Sequence, residues 1–415
     1  MRVIFLTQYF PPETGAPQNR LHATAQVLVR NGAQVTVLTA MPNYPEMRIH
    51  GTYRGKWHVR EVLDGMVVLR AWLYVSAKRS IPWRLLNYFS FVSTSLWVGL
   101  FRLKRSDVLF VESPPLFLGI TAMLLAKAKG AELVFNVSDL WPESAVHLGL
   151  VNNRTVIRLS TWLEELCYRR SALVTGQTMG IVRDIQRRFP EKKVLWMPNG
   201  VDLGAIAEAE GSGDPQLARE RLGIASSDLV LTYAGIIGHA QGLEVVLEAA
   251  SLLKHRSDIH FLLIGDGPEK AMLQALKAER ALERIRFMDR MPRSELLSLL
   301  RATDAVVIPL RRNDLFKGAI PSKIFEALAL AKPLLLGVEG EAKELFINEA
   351  GAGLAFTPED AADLARCAET LAADRELLLR MGANGAAYVR EHFDRAVITN
   401  KLWHALQELQ PQDRA

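Results

Sequence analysis

The sequence predicts an α/β protein made of two doubly wound parallel-sheet domains, and three observations lead there. Short apolar and β-branched runs alternate with helical patterns from one end of the chain to the other. The runs are near-continuously apolar, as expected of strands covered on both faces. At 415 residues the chain exceeds what one core ordinarily serves. A strand, helix, strand rhythm makes the sheets parallel, because parallel neighbours need a long crossover. Ligands of such sheets bind outside the strand carboxyl ends.

In the first half the expected strands are VIFLT (3–7), QVTVLT (34–39), VVLRAW (67–72), DVLFVE (107–112), ELVFNV (132–137), ALVTG (172–176) and VLWMP (194–198). The second half repeats the pattern with LVLTYAG (229–235), HFLLIGDG (260–267), IRFMD (285–289), AVVIPL (305–310), PLLLGV (333–338) and GLAF (353–356). The turn residues of MPNGVD (197–202) set the boundary, giving domains 1–200 and 201–392, and the polar, glycine-containing stretch AEAEGSGDPQ (207–216) follows soon after. The final pattern, FDRAVITNKLWHALQELQ (393–410), has helical spacing. Segment 81–101 is long enough to span a membrane, but Arg84, Asn87 and several serines interrupt it. Lys78, Arg79, Arg102, Lys104 and Arg105 flank it, so an interfacial or buried helix with aromatic anchors and basic ends fits better.

Composition narrows the class. A 49% hydrophobic and 23% charged chain is that of a globular enzyme. Cys167 and Cys367 stand in no metal-ligand spacing and indicate a reducing cytoplasm. The apolar run at the amino terminus is too short for a signal peptide and reads as a strand. Residues 1–200 carry 25 Lys and Arg against 13 Asp and Glu, whereas residues 201–415 carry 25 against 32. A basic half suits an anionic membrane or substrate; no nucleic-acid signature accompanies it, so nucleic acid is set aside.

Two stretches carry the chemistry. In KGAIPSKIFEALAL (317–330) Pro321 and Ser322 open a helix, Ser322 is the expected N-cap, and Lys323 falls in the first turn. Unpaired N–H groups and the helix dipole disfavour a cation there, so an anionic ligand is expected. In YAGIIGHAQGLEVVLEAA (233–250) a strand ends in Gly235, Gly238 and Gly242 before a helix, which lets backbone N–H groups approach a phosphate. Both stretches follow strands of one domain and would together hold a diphosphate, Lys323 neutralising charge and Glu326 accepting bonds from ribose hydroxyls. The plainer alternative is a surface Lys323–Glu326 pair.

The Gly-rich turn, GDGP (265–268), PSKIFEALAL (321–330), PNGVD (198–202) and VSDLWPE (137–143) together resemble family-four retaining glycosyltransferases of the GT-B fold. The nearest branch is the bacterial capsule and O-antigen type, similar to enzymes that transfer N-acetylated fucosamine. The resemblance covers essentially the whole chain. It implies two domains facing a central cleft, with a carboxyl-terminal helix (about 393–415) crossing back to the amino-terminal domain. It further implies a nucleotide-diphosphate sugar, UDP-linked, held by the carboxyl-terminal domain. The acceptor is then a polyprenyl-diphosphate-linked saccharide held by the amino-terminal domain, at the cytoplasmic, anionic face of the plasma membrane. Donor-binding positions implied by the match are Gly15, Gly235, Gly238, His239, Gln241, Gly265, Arg290, Met291, Pro321, Ser322, Lys323 and Glu326. Three positions depart from the family pattern: Gly318 replaces a frequent glutamate, Gln241 a common lysine and Ser138 a frequent histidine.

No DxD pair occurs, so no metal and no further cofactor is expected, and the leaving diphosphate is left to Lys323, N–H groups and helix ends. Family resemblance favours front-face attack, in which the leaving oxygen takes the acceptor's proton. Asp139 and Glu143 are the candidates for orienting or deprotonating the acceptor; either could instead stabilise a helix start. Trp141 is read as a sugar- or isoprenoid-stacking residue or a core tryptophan, and His239 as a solvated turn residue or a donor contact. A nucleotide-sugar epimerase of the same architecture, and a binding subunit without activity, are the alternative functions.

Overall fold

The computed structural model describes residues 1–409 apart from 14, 45, 79–80, 144–145, 147–152 and 211–213. The chain divides into two compact units, Met1–Asn199 with Arg395–Ala415, and Gly200–Asp394. The tail of the helix expected over 393–415 lies outside the described residues from 410 onward.

The first unit holds β1 (Arg2–Leu6), β2 (Gln34–Ala40), β3 (His58–Leu63), β4 (Met66–Ala71), β5 (Val108–Ser113), β6 (Glu132–Val137), β7 (Leu173–Gly176) and β8 (Val194–Trp196). Their order is β3-β4-β2-β1-β5-β6-β7-β8. All pairings are parallel except β3 with β4, where His58 faces Ala71 and Leu63 faces Met66. The sequence reading missed β3. HVREVL is broken by the adjacent charges Arg60 and Glu61, which an edge strand tolerates, instead of forming an apolar run. Asp64 and Gly65, both at positive φ (48° and 78°), join it to β4, and Asp-Gly is the hairpin signal that marks it.

Helices α1 (Ala16–Arg30), α2 (Ile81–Arg102), α3 (Leu118–Lys129), α4 (Arg154–Arg170) and α5 (Met179–Arg188) cover this sheet. Alternation along β1 sends Ile4 and Leu6 to a core completed by Phe91, Leu125 and Cys167 of α2, α3 and α4. It sends Val3 and Phe5 to the opposite face, where Leu21 and Leu28 of α1 wait. The last helix of the chain closes that second face with Ile398, Leu402 and Leu406. Each such fully buried side chain contributes about 1.5–3 kcal/mol.

The second unit holds α6 (Leu203–Glu210), α7 (Pro215–Arg221), β9 (Leu229–Ala234), α8 (Glu244–Leu252), β10 (Ile259–Ile264), α9 (Lys270–Glu279), β11 (Ile285–Met288), α10 (Arg293–Arg301), β12 (Ala305–Pro309), α11 (Lys323–Ala329), β13 (Leu334–Gly337), β14 (Gly353–Ala355), α12 (Ala361–Ala373) and α13 (Arg375–His392). The final helix, α14 (Arg395–Gln407), belongs to the first unit. The polar stretch from 207 begins as helix, α6 running to Glu210, because Asp202 Oδ1 accepts from Ala205 N at 3.1 Å and starts an alanine-rich turn. The six strands are all parallel, in the order β11-β10-β9-β12-β13-β14. The expected α/β class and the two doubly wound sheets are what the chain adopts. Among the described residues no helix is long and apolar enough to cross a membrane.

Candidate functional site

In the second sheet the strand order reverses between β9 and β12, so the loops leaving those two strands part and open a crevice at the carboxyl edge. The two stretches singled out from the sequence are these loops. After β9 the chain passes Gly235 (φ 150°) and Gly238, makes one 3₁₀ turn over His239–Gln241, and enters α8 through Gly242 (φ 55°). After β12 the backbone N of Arg311 donates to Ala240 O at 3.0 Å, and its Nε donates to His239 O at 2.7 Å. Arg311 also pairs with Glu244 and Glu359, so it is spent on tying the two loops together. The third loop, after β10, lies directly on the first. A Cβ on Gly265 would stand 1.9 Å from Gly235 O, and one on Gly267 2.2 Å from Ile237 O. Gly265 is therefore required by the approach of one loop to another. Gly265→Ala, at φ 142°, should cost about 3 kcal/mol or more and lower the thermal midpoint of the second unit, measured by calorimetry.

Lys323 is the electrostatic centre of the crevice. Its Nζ lies 3.8 Å from the centroid of the Tyr233 ring and would be 2.8 Å from a Cβ on Gly235, so the missing side chain there admits the ammonium. Among the described residues it makes no ion pair. Burial, with no carboxylate to compensate, pulls it down from 10.5 to about 7. The i,i+3 pair with Glu326 is absent. Glu326 Oε1 instead receives Arg293, from Nε at 3.0 Å and from the second guanidinium nitrogen at 2.9 Å.

The expected Ser322 cap is not formed. Ser322 already has helical angles (φ −60°, ψ −23°), so its hydroxyl cannot reach back to the helix N–H groups, and it makes no capping bond. The helix it precedes is one of seven residues, started by Ile324 N donating to Pro321 O at 3.0 Å.

The remaining donor-binding candidates fall around this centre unevenly. Gln241 is half-buried, with Oε1 3.2 Å from where a Gly238 Cβ would stand. The His239 ring is 80% exposed and meets Glu269 Oε1 at 3.0 Å, as a solvated turn residue would. Lys270, which sequence reasoning missed, donates to Gly265 O at 2.9 Å and Asp289 Oδ1 at 2.6 Å, fixing the chain ahead of Arg290 and Met291. Arg290 is exposed, whereas Met291 packs on the core beside β10.

In the first unit the order reverses between β1 and β5. Gly15 stands at the start of α1 after the β1 loop. Asp139 and Glu143 are both exposed beyond β6, and the chain that follows them lies largely outside the described residues. Trp141 is half-buried, edge-on to Phe117 at 5.9 Å between centroids, and packs against the core. Beneath this loop runs a buried network that no sequence motif announced. Arg20 of α1 donates to Glu112 Oε1 (2.6 Å), Ser138 Oγ (2.8 Å) and Asn199 Oδ1 (2.9 Å). Asn136 donates to Glu112 Oε2 at 2.5 Å, and Thr175 to Asn136 at 2.6 Å. Ser138, immediately before Asp139, completes it by donating to Glu112 Oε1. Aromatic side chains also gather at this edge, on its loops and on the first turn of α2, with Tyr9 edge-on to Tyr44 at 6.2 Å and Tyr74 stacked on Trp83 at 5.9 Å. Glu13, buried, accepts from the backbone N of Asn43 (2.7 Å) and Tyr44 (2.8 Å) and so holds the Tyr44 loop.

Comparison with known proteins gives a consistent result. Residues 15–200 match the family described as "Glycosyl transferase 4-like domain", and residues 214–388 match "Glycosyl transferases group 1". The chain is 25% identical over 349 residues to WcaI of Escherichia coli K12, a glycosyl transferase assigned to colanic acid biosynthesis, covering 82% of this chain and 84% of that protein. It is 32% identical over 269 residues to the alpha-D-kanosaminyltransferase of Streptomyces kanamyceticus, covering 63% of this chain and 67% of that one. The crystal structure of Anabaena HepE in complex with UDP and glucose superposes with a TM-score of 0.67 at 17% identity, over 98% of this chain and all of that one, which shows a shared fold.

Proposed function

The chain belongs to the group 1 glycosyl transferases, and we propose that it moves an N-acetylated hexosamine or deoxyhexosamine from a UDP-linked donor to a lipid-linked saccharide, with retention at the anomeric carbon. One observation carries the donor half of this reading: Lys323, an ammonium without an anionic partner among the described residues, lies where the loops after β9 and β12 diverge. A diphosphate is the ligand whose charge that cation lacks. Glu326 keeps Oε2 for ribose hydroxyls while Arg293 holds Oε1. HepE, which has this fold, was crystallised with UDP and glucose, and that supports a uridine donor.

The acceptor half rests on the first unit. Loops at its strand carboxyl edge and the first turn of α2 present tyrosine and tryptophan rings beside buried amides, a lining suited to the apolar faces and polar rims of pyranoses. Asp139 or Glu143 then orients the attacking hydroxyl, and the departing diphosphate oxygen takes its proton. Lys323 and loop N–H groups carry the leaving-group charge, so the transfer needs no metal. WcaI's assignment to colanic acid biosynthesis supports a surface polysaccharide as the product and a polyprenyl diphosphate at the cytoplasmic membrane face as the acceptor's anchor.

Purified protein incubated with UDP-sugars and a lipid-diphosphate saccharide should form a glycosylated lipid, at a rate that a chelator leaves unchanged. Glu326→Ala should raise the donor Kd about 10- to 100-fold, read by calorimetric titration. Conversion of the donor sugar without any acceptor would identify an epimerase and overturn the reading.

A further inference from the structure

We propose that α2, α3 and α4 together form a lipid-docking face, which seats the first unit on an anionic membrane by inserting aromatic and aliphatic side chains. This rests on the reading that the acceptor is lipid-borne, but its test does not require transfer.

The three helices lie side by side on one face of the first sheet, α3 packing against both α2 and α4. Their inward stripes fill the core. The outward stripes of α2 and α3 are apolar too, where an ordinary surface helix turns polar, and α4 sets exposed apolar side chains among Arg154 and Arg158. Trp97 is 60% exposed, Phe101 71%, Leu124 48%, Leu159 61% and Trp162 61%. Among the described residues these helices carry ten of the eighteen exposed large hydrophobic side chains: five on α2, two on α3 and three on α4. Such a concentration on one layer marks an interaction surface, while single exposed residues elsewhere do not. Trp97 and Phe101 stack at 5.2 Å and 20° into one flat aromatic slab.

Charge selects the occupant. Neither α2 nor α3 contains an acidic residue, and their carboxyl ends carry Arg102, Lys127 and Lys129, with Lys104 and Arg105 in the loop after α2. Lys129 Nζ donates to Leu100 O at 2.7 Å and binds the two basic ends together. The two glutamates of α4 are engaged: Glu164 is buried against Arg188 and Tyr168, and Glu165 pairs with Arg169 at 3.1 Å. An apolar face with basic ends suits an anionic lipid interface, which accepts both the rings and the cations. An isologous pairing of two copies would set the basic rims against each other.

The full chain should float with vesicles of phosphatidylglycerol and phosphatidylethanolamine, which contain no saccharide, and not with pure phosphatidylcholine. Lipids brominated on their acyl chains should quench its tryptophan emission, and Trp97→Phe with Trp162→Phe should remove that quenching. Trp97→Ser with Phe101→Ser, and separately Leu159→Ser with Trp162→Ser, should each lower vesicle affinity by about tenfold or more. Unchanged thermal midpoints and UDP binding would show that these variants fold. Arg102→Ser with Lys127→Ser should remove part of the salt-sensitive affinity. Serine variants that fold and bind vesicles as the parent does would overturn the proposal. So would a concentration-dependent dimer, seen by sedimentation, that the same substitutions abolish.

Discussion

Replacing Lys323 by methionine should weaken donor binding by about 10- to 100-fold, the worth of a charge-assisted contact to a diphosphate, while making the ligand-free protein more stable. Both effects follow from one ammonium buried over Tyr233, with no partner anion among the described residues. Unfolded, this lysine titrates near 10.5; folded, burial holds it at about 7. Between those pH values the unfolded chain binds one proton more than the folded chain, so the stability of the ligand-free protein rises with pH across that window. Below about 7 both states are protonated, and the full cost of burying the charge remains. Tyr233, the titratable group against it, is pushed upward by its own burial and stays neutral. A bound diphosphate reverses the preference and draws a proton onto Lys323. Donor affinity should thus fall as pH climbs above about 7, by as much as tenfold per unit, and titrations in buffers of different ionisation enthalpy should register proton uptake. A pH-independent Kd, or a methionine variant that binds UDP as the parent does, would remove Lys323 from the donor site.

The second large effect belongs to the first unit. Arg20→Met should destabilise that unit by about 3–5 kcal/mol, because it strands Glu112 in a place where both side chains are 5% exposed. For a unit of this size the thermal midpoint should drop by roughly 6–20 °C. Arg20→Met combined with Glu112→Gln should cost less than Arg20→Met alone, since the stranded carboxylate is then gone. Equal losses in the single and double variants, by differential scanning calorimetry, would deny that the pair is coupled. Ser138 hangs from the same two groups, so the exposed loop bearing Asp139 inherits its position from them.

The comparison of sequence with structure separates what is local from what is not. Apolar strand runs, and glycines placed just beyond them, are local signals; they located β9 and β12 and the two loops that part at the switch point. β3 escaped because Arg60 and Glu61 break its apolar run at the sheet edge, and only its Asp-Gly turn betrays it. Ser322 misled because a serine before an apolar run is a cap only if its own backbone is extended, and here it is already helical. The partner of Glu326 could not be read, since Arg293 comes from another helix. The Arg20 network joins residues as far apart as 20 and 199, which the parallel order β1-β5-β6-β7-β8 brings to one sheet edge. No motif spans such distances.

The last helix, α14, carries a consequence for how the molecule is made. Ile398, Leu402 and Leu406 close a face of the first unit, yet the ribosome reaches them only after the whole second unit has been synthesised. A nascent chain ending anywhere before them shows Val3, Phe5 and Leu28 to its surroundings along an uncovered seam. The first unit is thereby completed only after the second, and its amino-terminal part must wait for α14 while the residues between are translated.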